Sequence, residues 1–134
     1  MISIIVPHYN RNDLTDRLVE SLRTYCSGDI QIIVVDDCSA TPYVNAKVTV
    51  ALGQKNEGFL KTCNAGLEIA SGDIKVLISN DVLVTGDFIP QLERVIKDSP
   101  LALVGNRMIN FDSGWNRFGN KLFPYLEGWF LAAS

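Results

Sequence analysis

The sequence predicts an α/β domain built on a mainly parallel sheet that is flanked by helices on both faces. Short runs of β-branched, apolar residues alternate along the chain with stretches whose apolar residues recur at helical spacing. The runs are apolar almost throughout, which is typical of strands buried on both faces of a sheet. Alternation of this kind favours right-handed βαβ units. The length of 134 residues suits a single domain over residues 1–134.

Six apolar runs predict six strands, five of them in the first 104 residues and one near the end of the chain. The first run ends at Pro7, and the second ends at the pair Asp36-Asp37. The third run is the weakest, and the fifth is followed by a stretch rich in glycine, asparagine and aromatic residues over 105–119. The predicted strands are 2–6, 30–35, 48–52, 74–78, 101–104 and 129–133.

Three amphipathic stretches between these runs predict helices, which begin near residues 12, 59 and 88. Asn12 or Asp13 is the predicted N-cap of the first helix, and Asp87 that of the third, which places Pro90 in the first turn. The residues that share a helical stripe in the second helix, and that we expect to be buried, are Phe59, Cys63, Leu67 and Ala70.

Composition and motifs exclude several classes of protein. The net charge is −3 and the chain has no basic run, which argues against nucleic acid as a partner. The three cysteines have no CxxC spacing and are expected to be reduced thiols in a cytoplasmic protein. No apolar run reaches the ~20 residues of a transmembrane helix, and the first residues lack the features of a signal peptide. Neither a GxGxxG nor a GxxxxGK[ST] motif follows the first strand, which argues against a dinucleotide-binding fold and against a P-loop protein.

Polar residues follow the first, second and fourth strands at the point where each strand ends. In parallel sheets ligands bind at the carboxyl ends of the strands, so we expect Tyr9, Asp36, Asp37, Asn80 and Asp81 to converge there. A tyrosine ring stacks on a base, and carboxylates accept hydrogen bonds from a base or a ribose. An acid beside phosphates requires a divalent cation, for which Mg²⁺ and Mn²⁺ suit a site of few carboxylates and phosphate oxygens.

Five segments that follow one another along the chain form a pattern of motifs: Ile4-Ile-Val-Pro-His-Tyr-Asn10, Ile32-Ile-Val-Val-Asp-Asp-Cys-Ser39, Asn56-Glu-Gly58 with Asn64-Ala-Gly66, Leu77-Ile-Ser-Asn-Asp81 and Glu127-Gly128. In this order they resemble the motifs of family 2 glycosyltransferases. The resemblance implies a GT-A fold and the transfer of a sugar, with inversion, from a nucleoside-diphosphate-sugar of the UDP or dTDP type. It also implies a carbohydrate or lipid-linked acceptor with a free hydroxyl, and a place in polysaccharide biosynthesis.

The resemblance assigns roles to individual residues of the nucleotide site. Pro7 contacts the base through its backbone and Tyr9 stacks on it, Asp37 hydrogen-bonds a pyrimidine ring, and Asp36 lies near the ring or the ribose. The remaining residues of this site are asparagines: Asn56 and Asn64 line the pocket, and Asn80 contacts the ribose or the donor sugar. Asp81 holds Mg²⁺ or Mn²⁺. His8, the one histidine, is expected in a loop or a pocket wall.

Two departures from the family pattern leave alternatives open. Ser79 stands where the first acid of the DXD motif is expected, and the downstream region with the usual catalytic base has no counterpart within residues 1–134. Glu127 is the candidate base, although a turn residue before the last strand is an equal interpretation. The chain is therefore a glycosyltransferase, a non-catalytic nucleotide-sugar-binding module or a truncated fragment.

The aromatic residues over 115–131 predict self-association. With the acceptor region missing, an apolar surface is expected there, and surfaces of that kind tend to associate. We therefore expect a homo-oligomer in the cytoplasm, with peripheral association with the membrane as an alternative.

Overall fold

The computed structural model describes residues 1–98, 104–105, 108–109, 117–118, 121–122, 125–126 and 130–134. The three helices are α1 (Asn12–Tyr25), α2 (Phe59–Ile69) and α3 (Ile89–Asp98). The strands of the main sheet are β1 (Ile2–His8), β2 (Ile30–Asp36), β3 (Thr49–Leu52), β4 (Ile74–Ile78), β5 (Val104–Gly105) and β10 (Phe130–Ala133). Two short pairs are β6 (Met108–Ile109) with β9 (Tyr125–Leu126), and β7 (Arg117–Phe118) with β8 (Lys121–Leu122).

The main sheet has the order β3-β2-β1-β4-β10-β5. The four strands β3, β2, β1 and β4 run parallel, whereas β10 is antiparallel to both β4 and β5. The predicted α/β fold with a mainly parallel sheet is therefore confirmed. From β1 the chain moves outward through β2 to β3 and then returns to the other side of β1 as β4. The gap between β1 and β4 is thus the switch point of the topology, where ligands of such sheets bind.

The two faces of the sheet carry helices, as predicted, but their cores differ in size. On one face Ile4 and Val6 of β1 pack with Leu18 and Leu22 of α1, and Leu92 of α3 belongs to the same buried cluster. The other face, under α2, has a buried cluster of three residues, Ile5, Ile33 and Val35. Here α2 lies so close to the sheet that a Cβ on Gly66 would stand 2.3 Å from a methyl group of Ile5.

Pro7 lies inside β1, although the sequence predicted that this strand would end before it. Alternate residues of β1 bond to β2 on one side and to β4 on the other, and His8 bonds to the β2 side through Asp37 N–H. Pro7 faces the β4 side, but the β1–β4 pairing ends at Ile5 and Leu77. The missing N–H of Pro7 therefore costs no sheet hydrogen bond. Beyond Ile5 the two strands are no longer paired, which opens a crevice between them.

Two local predictions were wrong, and a third holds only in part. The N-cap of α1 is Arg11, without a side-chain cap, because Asp13 instead forms an ion pair with the Arg11 guanidinium at 2.8 Å. Phe59 does not join the buried stripe of α2, since it is 60% exposed at the first turn. For α3, Pro90 lies in the first turn as predicted, and Asp87 accepts a hydrogen bond from Ile89 N–H. The helix begins at Ile89, however, so Asp87 lies one position before the N-cap.

The later part of the chain is described only in places. The last predicted strand is confirmed as β10. Of the fifth predicted strand, over 101–104, the structure describes Val104, which begins β5 (Val104–Gly105). Trp115, Trp129 and Glu127 lie outside the described residues, so the predictions that rest on them stay predictions. Within the described ranges, no helix has the length and apolar character needed to cross a membrane.

Candidate functional site

A pocket of about 320 Å³ opens at the carboxyl ends of β1, β2 and β4, where the β1–β4 crevice begins. This volume is in the lower range for small-molecule sites. The residues that line the pocket come from these strand ends and from the start of α2: Pro7, His8, Tyr9, Asp37, Asn56, Gly58, Phe59, Thr62, Ser79 and Asn80.

The carboxylate of Asp36 organises the turn after β2. It is buried, with one oxygen accepting from the Ser39 N–H and hydroxyl at 2.9 and 2.5 Å and the other from Tyr43 N–H at 2.8 Å. Burial alone would raise the pKa of Asp36, but these hydrogen bonds and the neighbouring His8 outweigh it and lower the pKa. Asp36 is therefore an ionised anchor of the turn and is not a lining residue of the pocket.

The segment after β1 is fastened to this turn through Asn10. Its N–H donates to the Ser39 hydroxyl at 2.8 Å, and its side-chain oxygen accepts from Ala40 N–H at 2.8 Å. Asn10 and Cys38 both have positive φ, 56° and 63°, a conformation that asparagine tolerates and cysteine rarely adopts. The segment after β1 and the turn after β2 thus form one rim of the pocket, and the backbone is strained at Cys38.

Asp37 connects the same rim to the loop before α2. Its two carboxylate oxygens accept the N–H groups of Glu57 and Gly58, each at 2.8 Å. Gly58 has φ of 85° and precedes α2, which has no side-chain cap. The contact places Asn56 and Gly58 in the pocket wall and leaves one lone pair on each Asp37 oxygen for a ligand.

Two aromatic side chains border the pocket on its open side. Tyr9 is 50% exposed and Phe59 is 60% exposed, and both line the pocket. Exposed aromatic rings beside a pocket are suited to stacking on a planar group. Sequence analysis had placed Phe59 in the core, because its spacing matches the helical stripe. Its position directly after Asn56-Glu-Gly58, at the start of the helix, was the signal for a site residue.

His8 forms part of the floor of the pocket. It is 2% exposed, and its Nδ1 lies 2.7 Å from the hydroxyl oxygen of the buried Thr15. The same hydroxyl accepts from the side-chain amide of Asn80 at 3.2 Å, which links the ends of β1 and β4. Burial lowers the pKa of His8, against the raising effects of Asp36, Asn12 and Asp16, so the imidazole is neutral at pH 7.

Asp81 lies at the exposed end of the site. Its Oδ1 accepts a hydrogen bond from the Ser79 hydroxyl at 2.6 Å, and it does not line the pocket. Across the described parts of the chain, no group of three or more histidine, cysteine or acidic side chains is arranged to hold a metal ion. One carboxylate with a neighbouring hydroxyl suits Mg²⁺ or Mn²⁺ only when a ligand supplies further oxygens.

The structure brings most of the predicted nucleotide residues together. Those that line the pocket are Pro7, Tyr9, Asp37, Asn56 and Asn80. Three others do not line the pocket. The Asp36 carboxylate bonds to the turn that follows β2, Asn64 is exposed on α2, and Asp81 is exposed after the end of β4. Their contacts with a nucleotide or metal stay predictions. Sequence analysis did not identify Phe59, Thr62 or Thr15 as site residues.

Comparison with known proteins places the chain in a family. The sequence model described as "Glycosyl transferase family 2" matches residues 3–132. An uncharacterised glycosyltransferase of Haemophilus influenzae is 32% identical over 105 residues, which are 75% of this chain and 36% of that protein. The dolichol-phosphate mannosyltransferase of Pyrococcus furiosus is 27% identical over 117 residues, or 81% of this chain and 33% of that protein. The chain therefore spans about a third of the length of these relatives.

Solved structures show the same fold at low sequence identity. Residues 1–349 of Staphylococcus aureus TarS, in complex with UDP, match 78% of this chain with a TM-score of 0.68 and 22% identity. The mannosyltransferase PcManGT from Pyrobaculum calidifontis, in complex with GDP-Man and Mn²⁺, matches 78% of this chain with a TM-score of 0.70 and 19% identity. The matches cover 34% of each of those chains. The GT-A fold expected from the sequence is therefore confirmed.

Proposed function

Because the chain belongs to glycosyltransferase family 2, we propose that it is the donor-binding part of an enzyme that transfers a sugar from a nucleoside-diphosphate-sugar to an acceptor hydroxyl. The donor is of the UDP or dTDP type, and the transfer inverts the anomeric centre. One observation carries this proposal: Tyr9, Asp37 and Asn80 line one pocket at the topological switch point of the sheet.

The rim formed by the ends of β1 and β2 is the base-binding end of the pocket. Tyr9 offers an exposed ring for stacking, and each Asp37 oxygen keeps a lone pair for an N–H of the base. A pyrimidine with an N–H between two carbonyl groups, such as uracil or thymine, suits an acceptor at this position. The bonds from Glu57 and Gly58 hold the carboxylate in place before the ligand arrives, so little conformational entropy is lost on binding.

The end of β4 is the diphosphate end. Asn80 lies across the crevice from the base-binding rim and presents its amide beside the space for the ribose or the sugar. Asp81 and Ser79 would hold Mg²⁺ or Mn²⁺ together with diphosphate oxygens. A divalent cation at this position neutralises charge that develops on the leaving diphosphate.

Transfer also requires a base that removes the proton of the acceptor hydroxyl. Glu127 is our candidate for that role, and it lies outside the described residues. Since the chain spans about a third of the length of the two relatives named above, an acid elsewhere in a longer protein is an equal candidate. The donor-binding function does not depend on which of the two acts.

The first test measures binding of UDP, dTDP, ADP and GDP by calorimetry, with and without Mn²⁺. We expect UDP or dTDP to bind best. Tyr9→Ala should weaken that binding by about 1–3 kcal/mol through loss of the stack. Tyr25→Ala is the matched control, because Tyr25 is similarly exposed, at 47%, and lies at the far end of α1. Equal affinity for all four nucleotides, or equal effects of the two substitutions, would remove the base-pocket assignment.

A second test separates an enzyme from a binding module. Incubation of the chain with UDP-sugars and Mn²⁺ should release UDP slowly by transfer to water if the catalytic base is present. Binding without release, even with acceptors of several carbohydrate classes, would favour the module or fragment.

A further inference from the structure

Three polar side chains, those of His8, Thr15 and Asn80, are hydrogen-bonded to one another at the floor of the crevice, and the proposed function uses only Asn80. Thr15 of α1 is fully buried, and its hydroxyl oxygen lies 2.7 Å from Nδ1 of His8 and 3.2 Å from Nδ2 of Asn80. His8 and Asn80 both line the pocket, whereas Thr15 does not. Thr15 therefore contacts two pocket-lining side chains, those of His8 and Asn80, without lining the pocket itself.

The hydrogen-bond donors and acceptors of this group fix the tautomer of the imidazole. The Asn80 amide donates to the Thr15 oxygen, so this oxygen keeps one further lone pair and its own proton. Among the described residues, His8 Nδ1 is the acceptor available to that hydroxyl proton. Since the hydroxyl donates to Nδ1, the single proton of the neutral imidazole is carried by Nε2.

Nε2 of His8 is consequently a buried donor, and it has no hydrogen-bond partner within the described part of the chain. A side-chain hydrogen bond with Asn12 raises the pKa of His8, but Asn12 is not a hydrogen-bond partner of Nε2. Buried donors without a partner are rare in folded proteins and call for a specific explanation. Since His8 is one of the residues that line the pocket, a ligand bound there is the candidate partner for this donor.

We propose that His8 donates a hydrogen bond from Nε2 to an oxygen of the nucleotide bound in the pocket, and that Thr15 positions both His8 and Asn80 for this ligand. Thr15 is thus a positioning residue that holds the imidazole in one tautomer and fastens the end of β4 to the end of β1. This inference rests on the proposed function, since it takes the ligand to be a nucleotide.

The direct test uses the fact that the chain has one histidine. The 134-residue protein, labelled with ¹⁵N-histidine and free of any histidine tag, gives a single imidazole in long-range ¹H–¹⁵N spectra. In the free protein at pH 7 we expect the pattern of an Nε2–H tautomer. Saturation with UDP, or with GDP if calorimetry shows that GDP binds, should shift the Nε2 resonance in the direction of a stronger hydrogen bond and leave Nδ1 an acceptor.

Paired variants separate the ligand contact from general packing. His8→Asn keeps a polar atom near Nδ1 and removes the Nε2 donor, whereas His8→Gln keeps a donor near Nε2. Thr15→Val removes the hydroxyl with little change of shape, and Thr15→Ser retains it. We expect His8→Asn and Thr15→Val to weaken UDP binding about five- to tenfold, and His8→Gln and Thr15→Ser to bind within about threefold of the unmodified chain.

The outcomes distinguish this inference from the proposed function. If a nucleotide binds but the free protein shows an Nδ1–H tautomer, or Nε2 does not respond to the ligand, the inference is wrong and the nucleotide site remains. If no nucleotide binds, the proposed function and the His8 contact both fail. The free-state tautomer and its loss in Thr15→Val then still decide the positioning role of Thr15.

Discussion

The loop that follows β2 and the loop that follows β4 border the same crevice, but they are held in different ways. In the first, the buried Asp36 carboxylate takes three hydrogen bonds from Ser39 and Tyr43. In the second, the Asp81 carboxylate is exposed, and its bond within the described residues comes from Ser79, two positions away. Asp36 therefore stabilises the fold, whereas Asp81 stays available to a ligand. This difference suits a pocket whose base-binding end is formed in advance and whose diphosphate-binding end is completed by the ligand.

The strongest test of this contrast is Asp36→Asn. The amide would place a donor where the carboxylate accepts buried N–H groups, so we expect the free energy of unfolding to fall by about 2–4 kcal/mol. Urea denaturation followed by circular dichroism measures it. Asp81→Asn is the matched control and should change stability by less than about 0.5 kcal/mol, since it lies at the surface. Equal losses in the two variants would contradict the contrast.

The same Asp81→Asn variant gives the next prediction, which concerns binding. The substitution keeps the shape of the side chain but removes the charge, so it should abolish the gain in UDP affinity that Mn²⁺ gives. Binding without metal should be unchanged or slightly stronger, because a negative charge beside the diphosphate is lost. Calorimetry with and without Mn²⁺ measures both. A variant that retains the full Mn²⁺ enhancement would show that Asp81 is not the metal ligand.

The smallest expected effect is on the pH dependence of stability. The pKa of His8 is lowered in the folded protein by burial, with Asp36 and Asp16 acting against it, so the unfolded chain binds the proton more tightly. The free energy of unfolding should therefore decrease as the pH falls below about 6.5 toward the lowered pKa. The lowered pKa of Asp36 acts in a separate window, where stability is lost as the pH falls below about 4.

Urea denaturation at several pH values between 7.5 and 5 measures the first of these windows. His8→Asn, which has no imidazole to protonate, should show a flatter profile over this interval than the unmodified chain. An unchanged profile in the variant would mean that His8 is not the group responsible.

Much of this fold could be predicted from the sequence, because strand and helix periodicity are local signals. The order of the elements and the convergence of Tyr9, Asp37 and Asn80 followed from the rule for parallel sheets. The roles of Asp36 and Phe59 could not be separated in this way. An acid at a strand end has the same appearance in the sequence whether it binds a ligand or its own turn, and a helical stripe does not show where the core stops.

The Thr15 contact was also beyond sequence analysis. His8 and Thr15 are separated by 7 positions, and Thr15 and Asn80 by 65, and their meeting depends on how α1 crosses the ends of two strands. Threonine in an amphipathic helix gives no signal of such a bridge. Only the packed structure shows that a helix residue connects the two sides of the crevice.

The exposed thiol in the turn at Cys38 makes the chain suitable for use as an optical sensor. Cys38 is exposed beside Asp37, whereas Cys26 is half-buried and Cys63 is buried. Burial raises the pKa of both of these thiols, that of Cys26 to about 11, which keeps them protonated and slow to react. A maleimide dye at neutral pH should therefore attach at Cys38 without mutagenesis. Its fluorescence would report the arrival of a ligand directly at the rim of the pocket.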